Sequence, residues 1–394
     1  MKRSTDRILT THVGRLEGPA EFRAMAQATF TGTPVDPASV GQKVQGAITW
    51  VVGKQLDAGI DVISDGELGK LGFGLGYYGK RLTGLSSRKV NPGEPAFMSQ
   101  RTGERLEFDE FYKEFNWFGS TERVIVSGPI TYIGQPEVER DVAMFKAALA
   151  AAGKPVEEAF MCVLAPGWLE HFFYNEHYPD DEQYLFAIAD AIKHEYKAVV
   201  DAGFVLQIDD PALPDTYDMI VPAPSIADYR KFAKVRVEAL NHALKGLPQD
   251  RVRFHICWGS WHGPHTHDLP LEHVIDLMLE VNAGAYSIEA ANPRHEHEWK
   301  LWRKTKLPDG KLLIPGVVSH ATNVVEHPEI VADRIIRWAN LVGRDNVIAS
   351  TDCGLGFRVH PQIAWAKLKA LSEGAALATR ELWGAKAAVS TAGA

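Results

Sequence analysis

His255 and Cys257 stand two residues apart in Arg253–Trp258, a short run of large and apolar residues. On an extended strand an i, i+2 pair projects from one face. An imidazole nitrogen and a thiolate sulfur are then offered side by side, a pairing that suits zinc. Glu289 closes a similar run further on, and Cys353 closes the last one. If those runs end at one place, His255, Cys257, Glu289 and Cys353 make a four-coordinate site. Cys162, the remaining cysteine, is flanked by Phe160, Met161, Val163 and Leu164 and reads as packing. Three cysteines are too few for a disulfide framework and fit a reducing compartment.

Other runs also end in ionisable groups: Thr11-His12-Val13-Gly14-Arg15, Ser64-Asp65-Gly66-Glu67 and Gln207-Ile208-Asp209-Asp210. Gathering such groups costs desolvation and repulsion unless a metal or substrate balances them. The elements that must position them are eight β-branched runs: Ile8–Gly14, Asp61–Gly66, Ala159–Pro166, Val205–Asp210, Arg253–Trp258, Ala285–Ala290, Leu312–Val318 and Asn346–Cys353. Apolar residues at helical spacing predict helices over Asp180–Gly203, Ile226–Lys245, Pro270–Val281 and His327–Val342. Strand–helix alternation of this regularity means a parallel sheet with right-handed crossovers. Eight units close most economically into a (β/α)8 TIM barrel, where catalytic groups sit at the C-terminal strand ends. An open doubly wound sheet is the rival, but no strand is followed by Gly-x-Gly-x-x-Gly.

The expected organisation is one α/β domain over residues 1–394. Residues 80–135 form a long excursion after the second strand, with aromatics from Phe108 to Phe118 and one extra strand, Arg123–Tyr132. The aromatics serve packing or an oligomer contact. Ala375–Ala394 reads as a last helix ending in a frayed tail over 386–394. The chain has 394 residues, 45% hydrophobic and 23% charged, with net charge −8. That balance fits a globular protein and disfavours nucleic-acid binding. No apolar run is long enough for a membrane helix and no signal-peptide core is present, so a cytoplasmic protein is expected.

Taken together, Thr10–Gly14, Asp65-Gly66-Glu67, Gln207–Leu213, His255-Ile256-Cys257, Ser287-Ile288-Glu289 and Asp352–Leu355 resemble the catalytic C-terminal barrel of cobalamin-independent methionine synthase. The resemblance runs from about residue 8 to residue 375. It implies Zn²⁺ on His255, Cys257, Glu289 and Cys353, with Glu67 and Asp209 holding the ammonium of homocysteine and backbone near Val13 and Gly14 holding its carboxylate. The implied activity is zinc-dependent methyl transfer from a reduced folate to a small thiol, which would be held as a zinc thiolate, giving methionine.

Several residues depart from that pattern. A family serine is Arg15 here, and the run after Gly-Glu is Leu68-Gly69-Lys70-Leu71-Gly72-Phe73-Gly74. About ten residues follow the His-x-Cys pair as a histidine-bearing loop (His262, His265, His267), expected to be a lid in which Trp258 and Trp261 shield the site. His295 and His297 read as solvated first-turn residues. The general-acid histidine of the family has no counterpart at its slot, and His320, one position away, is the candidate. The longer family members carry an N-terminal barrel that helps hold the folate, for which this chain has no room. Short single-barrel relatives, including epoxyalkane:coenzyme M transferases, add a thiol to an epoxide, and Arg15 could then pair with a sulfonate or carboxylate on the thiol. Two rivals to alkyl transfer are a zinc hydrolase and a non-catalytic metal-binding barrel. Two thiolates make a bound water less acidic, against the first, and substrate acids at the mouth argue against the second.

Overall fold

The computed structural model describes residues 1–31, 33, 35–71, 75–91, 94, 102–114, 122–220, 222–259 and 262–384. Eight parallel strands form its centre: β1 (Leu9–Thr10), β2 (Val62–Ser64), β3 (Glu158–Leu164), β4 (Val205–Asp209), β5 (Val252–His255), β6 (Ala285–Ile288), β7 (Leu312–Val318) and β8 (Ile348–Thr351). They neighbour one another in the order β1-β8-β7-β6-β5-β4-β3-β2. The last seam, between β1 and β2, is closed without a ladder. Asp61 N–H donates to Thr10 O at 3.2 Å, and Thr10 N–H donates to the Asp61 carboxylate at 2.8 Å. The Thr11 hydroxyl donates to Val62 O at 2.9 Å. The chain is thus a (β/α)8 barrel, and each of the eight expected runs contains or overlaps one strand.

Helices on the outside link the strands: α1 (Pro37–Asp57), α2 (Gln135–Ala152), α3 (Asp181–Asp201), α4 (Ile226–Ala243), α5 (Ile275–Leu279), α6 (Pro328–Val342) and α7 (Pro361–Trp383). A 3-10 helix, Glu296–Arg303, stands between β6 and β7. α3 shows why its sequence winds there. The Asp180 carboxylate caps it by accepting from Gln183 N–H at 2.7 Å. Tyr184, Leu185, Ile188, Ile192, Tyr196 and Val199 recur at helical spacing and are all buried.

Three expectations need correcting. Pro270–Val281 is not one helix: a 3-10 turn, Leu271–His273, precedes α5, and Val274 between them leaves helical geometry. Leu271 N–H is taken by Glu298 at 2.8 Å, so the segment is anchored sideways to the next connection. The excursion holds two short helices, Thr102–Glu107 and Asp109–Glu114, where few helix signals were read. Its extra strand is Glu122–Val126, shorter than expected, and it pairs with Leu85–Lys89 and with Tyr174–Asn175 from the β3–α3 connection. Phe115, Trp117, Phe118, Gly72–Gly74, Trp261 and residues 386–394 lie outside the described residues.

The root of the excursion is tied down by a buried cation. Arg81 is 1% exposed and reaches Asp141 of α2 at 2.6 Å and Glu195 of α3 at 3.2 Å. Among the described residues no helix is long and apolar enough to cross a membrane.

Candidate metal centre

The strand ladders stop short of the residues that matter. β5 ends at His255, β6 at Ile288 and β8 at Thr351, so Cys257, Glu289 and Cys353 hang from the strand ends into the barrel mouth. There the chain is freed from ladder register and held by side chains. Asp352 accepts from the backbone N–H groups of Ala290 and Ala291 at 2.7 and 2.9 Å. This locks the turn just past Glu289 to the residue preceding Cys353. The contact needs Gly316 on β7, because a Cβ there would lie 2.3 Å from the Asp352 carboxylate.

His255, Cys257 and Cys353 offer ligand atoms all within 4.8 Å of one another. The two sulfurs are 3.8 Å apart. Two sulfurs at about 2.3 Å from one tetrahedral zinc are separated by about 3.8 Å. His255 Nδ1 is held by the Ser287 hydroxyl at 3.2 Å. The other ring nitrogen is buried without an oxygen or nitrogen partner, and the ring faces the Cys353 sulfur. The mutual hydrogen bond and burial push the Cys257 thiol well up, while the same hydrogen bond pulls Cys353 well below the usual thiol range. Two buried sulfurs this close hold one negative charge between them unless a cation supplies the balance. An orphaned imidazole nitrogen, this sulfur spacing and two soft donors fit zinc.

Glu289 is not within that triad. Its carboxylate accepts from Trp258 N–H at 3.3 Å and Asn292 Nδ2 at 2.8 Å, and it groups instead with His320 and Asp352. Burial first, then Asp352, raises its pKa well above the carboxylate range. The structure therefore brings three of the four expected ligands together and sets the fourth beside them. His320, the candidate acid, is fully buried just past β7 with both ring nitrogens unbonded, and burial lowers its pKa to about 4.

A second group adjoins the first. Glu67, Cys162 and Asp209 bring donor atoms within 4.8 Å of one another, and Asp209 stands opposite His255 in the β4–β5 ladder. Gly14 is pressed against this group at φ 115°, and a Cβ there would lie 2.5 Å from Cys162 Sγ and 2.9 Å from Glu67 Oε1. Glu67 adopts the left-handed conformation (φ 58°) that side chains avoid. The Asp65 carboxylate holds it there by accepting Glu67 N–H at 2.9 Å. Burial raises Asp209 to about 7. Arg15 donates to Glu67 O at 3.0 Å, lies 4.6 Å from the Phe357 ring and carries a buried Nε without a partner. Among the described residues it makes no ion pair within 4 Å.

Four residues of this group escaped the sequence reading. Cys162 packs with Val62, Phe160 and Val205, yet its sulfur faces the acids. Gln207 donates its amide to Asp209 at 2.6 Å and to Val13 O at 2.8 Å. Arg253, inside the barrel and 2% exposed, fixes that amide by donating to Gln207 Oε1 at 2.6 Å. Lys70 bridges Glu67 and Cys162 O, both at 2.8 Å. The period-2 pattern Arg253-His255 was the available signal for Arg253, since it places both side chains inward.

The histidine loop is partly as expected. His262 reaches His320 O at 3.2 Å, and His267 is half-buried and bonds Glu107 of the excursion at 2.6 Å. His295 is a correction, because it is buried, whereas His297 is exposed as expected; His265 is buried as well. His265 and His295 each donate toward Asp268 at 2.8 Å, and His295 also meets Glu298 at 3.0 Å and stacks on Trp258 with centroids 3.7 Å apart. The excursion pins the loop from outside, Glu104 accepting Thr266 N–H at 2.7 Å, and Trp258 beneath it is buried, donating its indole N–H to Leu269 O at 2.7 Å.

A model of the cobalamin-independent synthase catalytic domain matches residues 98–376, and the chain belongs to that family. It is 25% identical to the 2-hydroxypropyl-CoM lyase of Xanthobacter autotrophicus over 411 aligned positions, covering 97% of each chain. It is 24% identical to a methionine synthase of Thermococcus kodakarensis, covering 86% of this chain and 84% of that one. Among solved structures, the B12-independent methionine synthase of a Shewanella species in complex with selenomethionine shares the fold. The TM-score is 0.72 at 20% identity, covering 95% of this chain and 99% of that one.

Proposed function

We propose that the chain is a zinc-dependent thiol S-alkyltransferase, with zinc held by His255, Cys257 and Cys353 and Glu289 as the fourth ligand. The sulfur spacing of 3.8 Å beside an orphaned imidazole nitrogen carries this reading. When bound, zinc would lower the pKa of a coordinated substrate thiol so that its sulfur is nucleophilic at neutral pH.

The chain's own residues do the rest. Ser287 orients the His255 ring, and Asp352 fixes the turn that presents Glu289. Arg253 and Gln207 hold the Asp209 carboxylate in place. Gly14, Arg15, Glu67 and Asp209 line the thiol's path, and Trp258 with the His265–Asp268 loop excludes water. His320, facing Glu289 and Asp352 with both nitrogens unbonded, is the group to pass a proton at the mouth.

Two electrophiles suit such a site. Methyl transfer from a reduced folate to homocysteine is what the methionine synthase relatives suggest. Addition of the thiol to an epoxide is favoured by the match along nearly the whole of both chains to 2-hydroxypropyl-CoM lyase. Hydrolase barrels usually draw metal ligands from a His-x-His pair on the first strand; here only His12 stands there, and its nitrogens are committed to Gln55 at 2.6 Å and Gly14 N–H at 3.0 Å. Calorimetry of the zinc-loaded protein with homocysteine, coenzyme M, glutathione and cysteine tests the reading. Binding of one of them with release of about one proton is expected. Binding of none overturns it.

A further inference from the structure

A carboxylate pair beside a thiol-binding metal is the natural counter-charge for a substrate ammonium. In this chain a side chain already sits there. Lys70 donates to Glu67 Oε2 at 2.8 Å, and its second hydrogen bond goes to Cys162 O, also at 2.8 Å. The geometry follows from the fold. The β2–β3 ladder ends at Ser64 and Phe160, and beyond it the strands part, leaving Cys162 O to be met by Lys70. Asp65, Tyr77, Asp141 and Glu195 line a water-sized cavity beside Lys70, and the Glu67 carboxylate, outweighing burial, holds the ammonium well above the usual lysine range. Lys70 pairs with Glu67 at 2.8 Å and Arg15 lies close to the same carboxylate, so Glu67 is already balanced by cations of the chain itself. An amino-acid thiol would have to displace Lys70 from Glu67 or share one carboxylate with it. A thiol that is neutral or anionic away from its sulfur meets no such competition, and Arg15 has a buried donor to spare for an anion.

We propose that Lys70 is a specificity-determining residue, a built-in cation in the place of a substrate ammonium, so that the thiol this chain selects carries no amino group. This rests on the thiol alkyltransferase reading above and deepens it.

The test is a matched pair, homocysteine and 4-mercaptobutyrate, which differ only in the α-amino group. Their Kd values are measured by calorimetry on zinc-loaded wild type and on Lys70→Met. Wild type is expected to bind 4-mercaptobutyrate more tightly. In Lys70→Met the preference should move toward homocysteine by about 10-fold or more, the worth of one charged hydrogen bond. Comparing ratios cancels the different acidities of the two thiols. If Lys70 is only a strut between parted strands, the substitution weakens both ligands equally, and an unmoved ratio overturns the proposal. Tighter homocysteine binding by wild type overturns it without any variant. In both cases thiols still bind with proton release, so the alkyltransferase reading stands. If neither thiol binds either protein, the proposal is overturned, and the alkyltransferase reading falls with it only when coenzyme M, glutathione and cysteine also fail to bind.

Discussion

At the residue scale, the site is built from groups that would be unfavourable alone. Cys257 and Cys353 face each other across 3.8 Å, and a dication removes their conflict. Cys257→Ser and Cys353→Ser should each lose most bound zinc, measured by elemental analysis after dialysis; full retention in both would remove these residues from the ligand set. Glu67→Ala should keep its zinc, because Glu67 belongs to the neighbouring group. Gly14→Ala places a methyl at 2.5 Å from Cys162 Sγ in backbone that disfavours side chains. A loss of about 2 kcal/mol or more is expected in denaturant unfolding. His12 supplies a pH dependence. Burial lowers its pKa to about 4, and its neutral ring accepts Gly14 N–H, a bond that protonation destroys. The unfolded chain takes up this proton near pH 6.5 and the folded one near 4. The contribution of His12 to stability is therefore full above about 6.5 and is lost as pH falls toward 4, about 3 kcal/mol in all. His12→Gln should flatten the stability curve in that window, and an unchanged slope would contradict the assignment.

At the element scale, Cys257, Glu289 and Cys353 hang just beyond their strands, while His255, Asp209 and Cys162 are presented from within the ladders, and the connections supply the walls. Arg81 joins the excursion to α2 and α3 through two buried carboxylates. Arg81→Met leaves Asp141 and Glu195 without it, and a loss of about 3–5 kcal/mol is expected in urea unfolding. Zinc content should be unchanged, because the excursion roots far from the ligand strands in sequence. A variant that unfolds normally in urea would show that the excursion is held by its aromatics instead. The eight strands were legible because β-branched runs recur between helical stripes. The excursion was not, since its strand Glu122–Val126 is completed by Tyr174–Asn175 from another connection, and pairing across loops leaves no local periodicity.

At the scale of the whole molecule, the barrel and the donor groups at its mouth come from strands far apart in sequence. His255, Cys257 and Cys353 from the ends of β5 and β8 meet at the mouth of the closed sheet, so zinc bound there should stabilise the folded state as a whole. Removing it with a chelator should lower Tm, by an amount that grows with zinc concentration when metal is restored. An apo protein with the same Tm would mean that the ligands do not share an ion. The sequence by itself determined the order of strands and helices and the residue types at the strand ends, because propensity and spacing are local properties. It also carried the family resemblance, since motif order survives when most positions change. Only the tertiary structure decided which of these groups share charge. It set Glu289 beside His320 and Asp352, buried His265 and His295 around Asp268, and turned Cys162 toward the acids. It also brought Lys70 to Cys162 O across the gap between two parting strands. Such meetings depend on distances through space between chain segments far apart in sequence, and burial sets their energies, and no window of sequence holds either quantity.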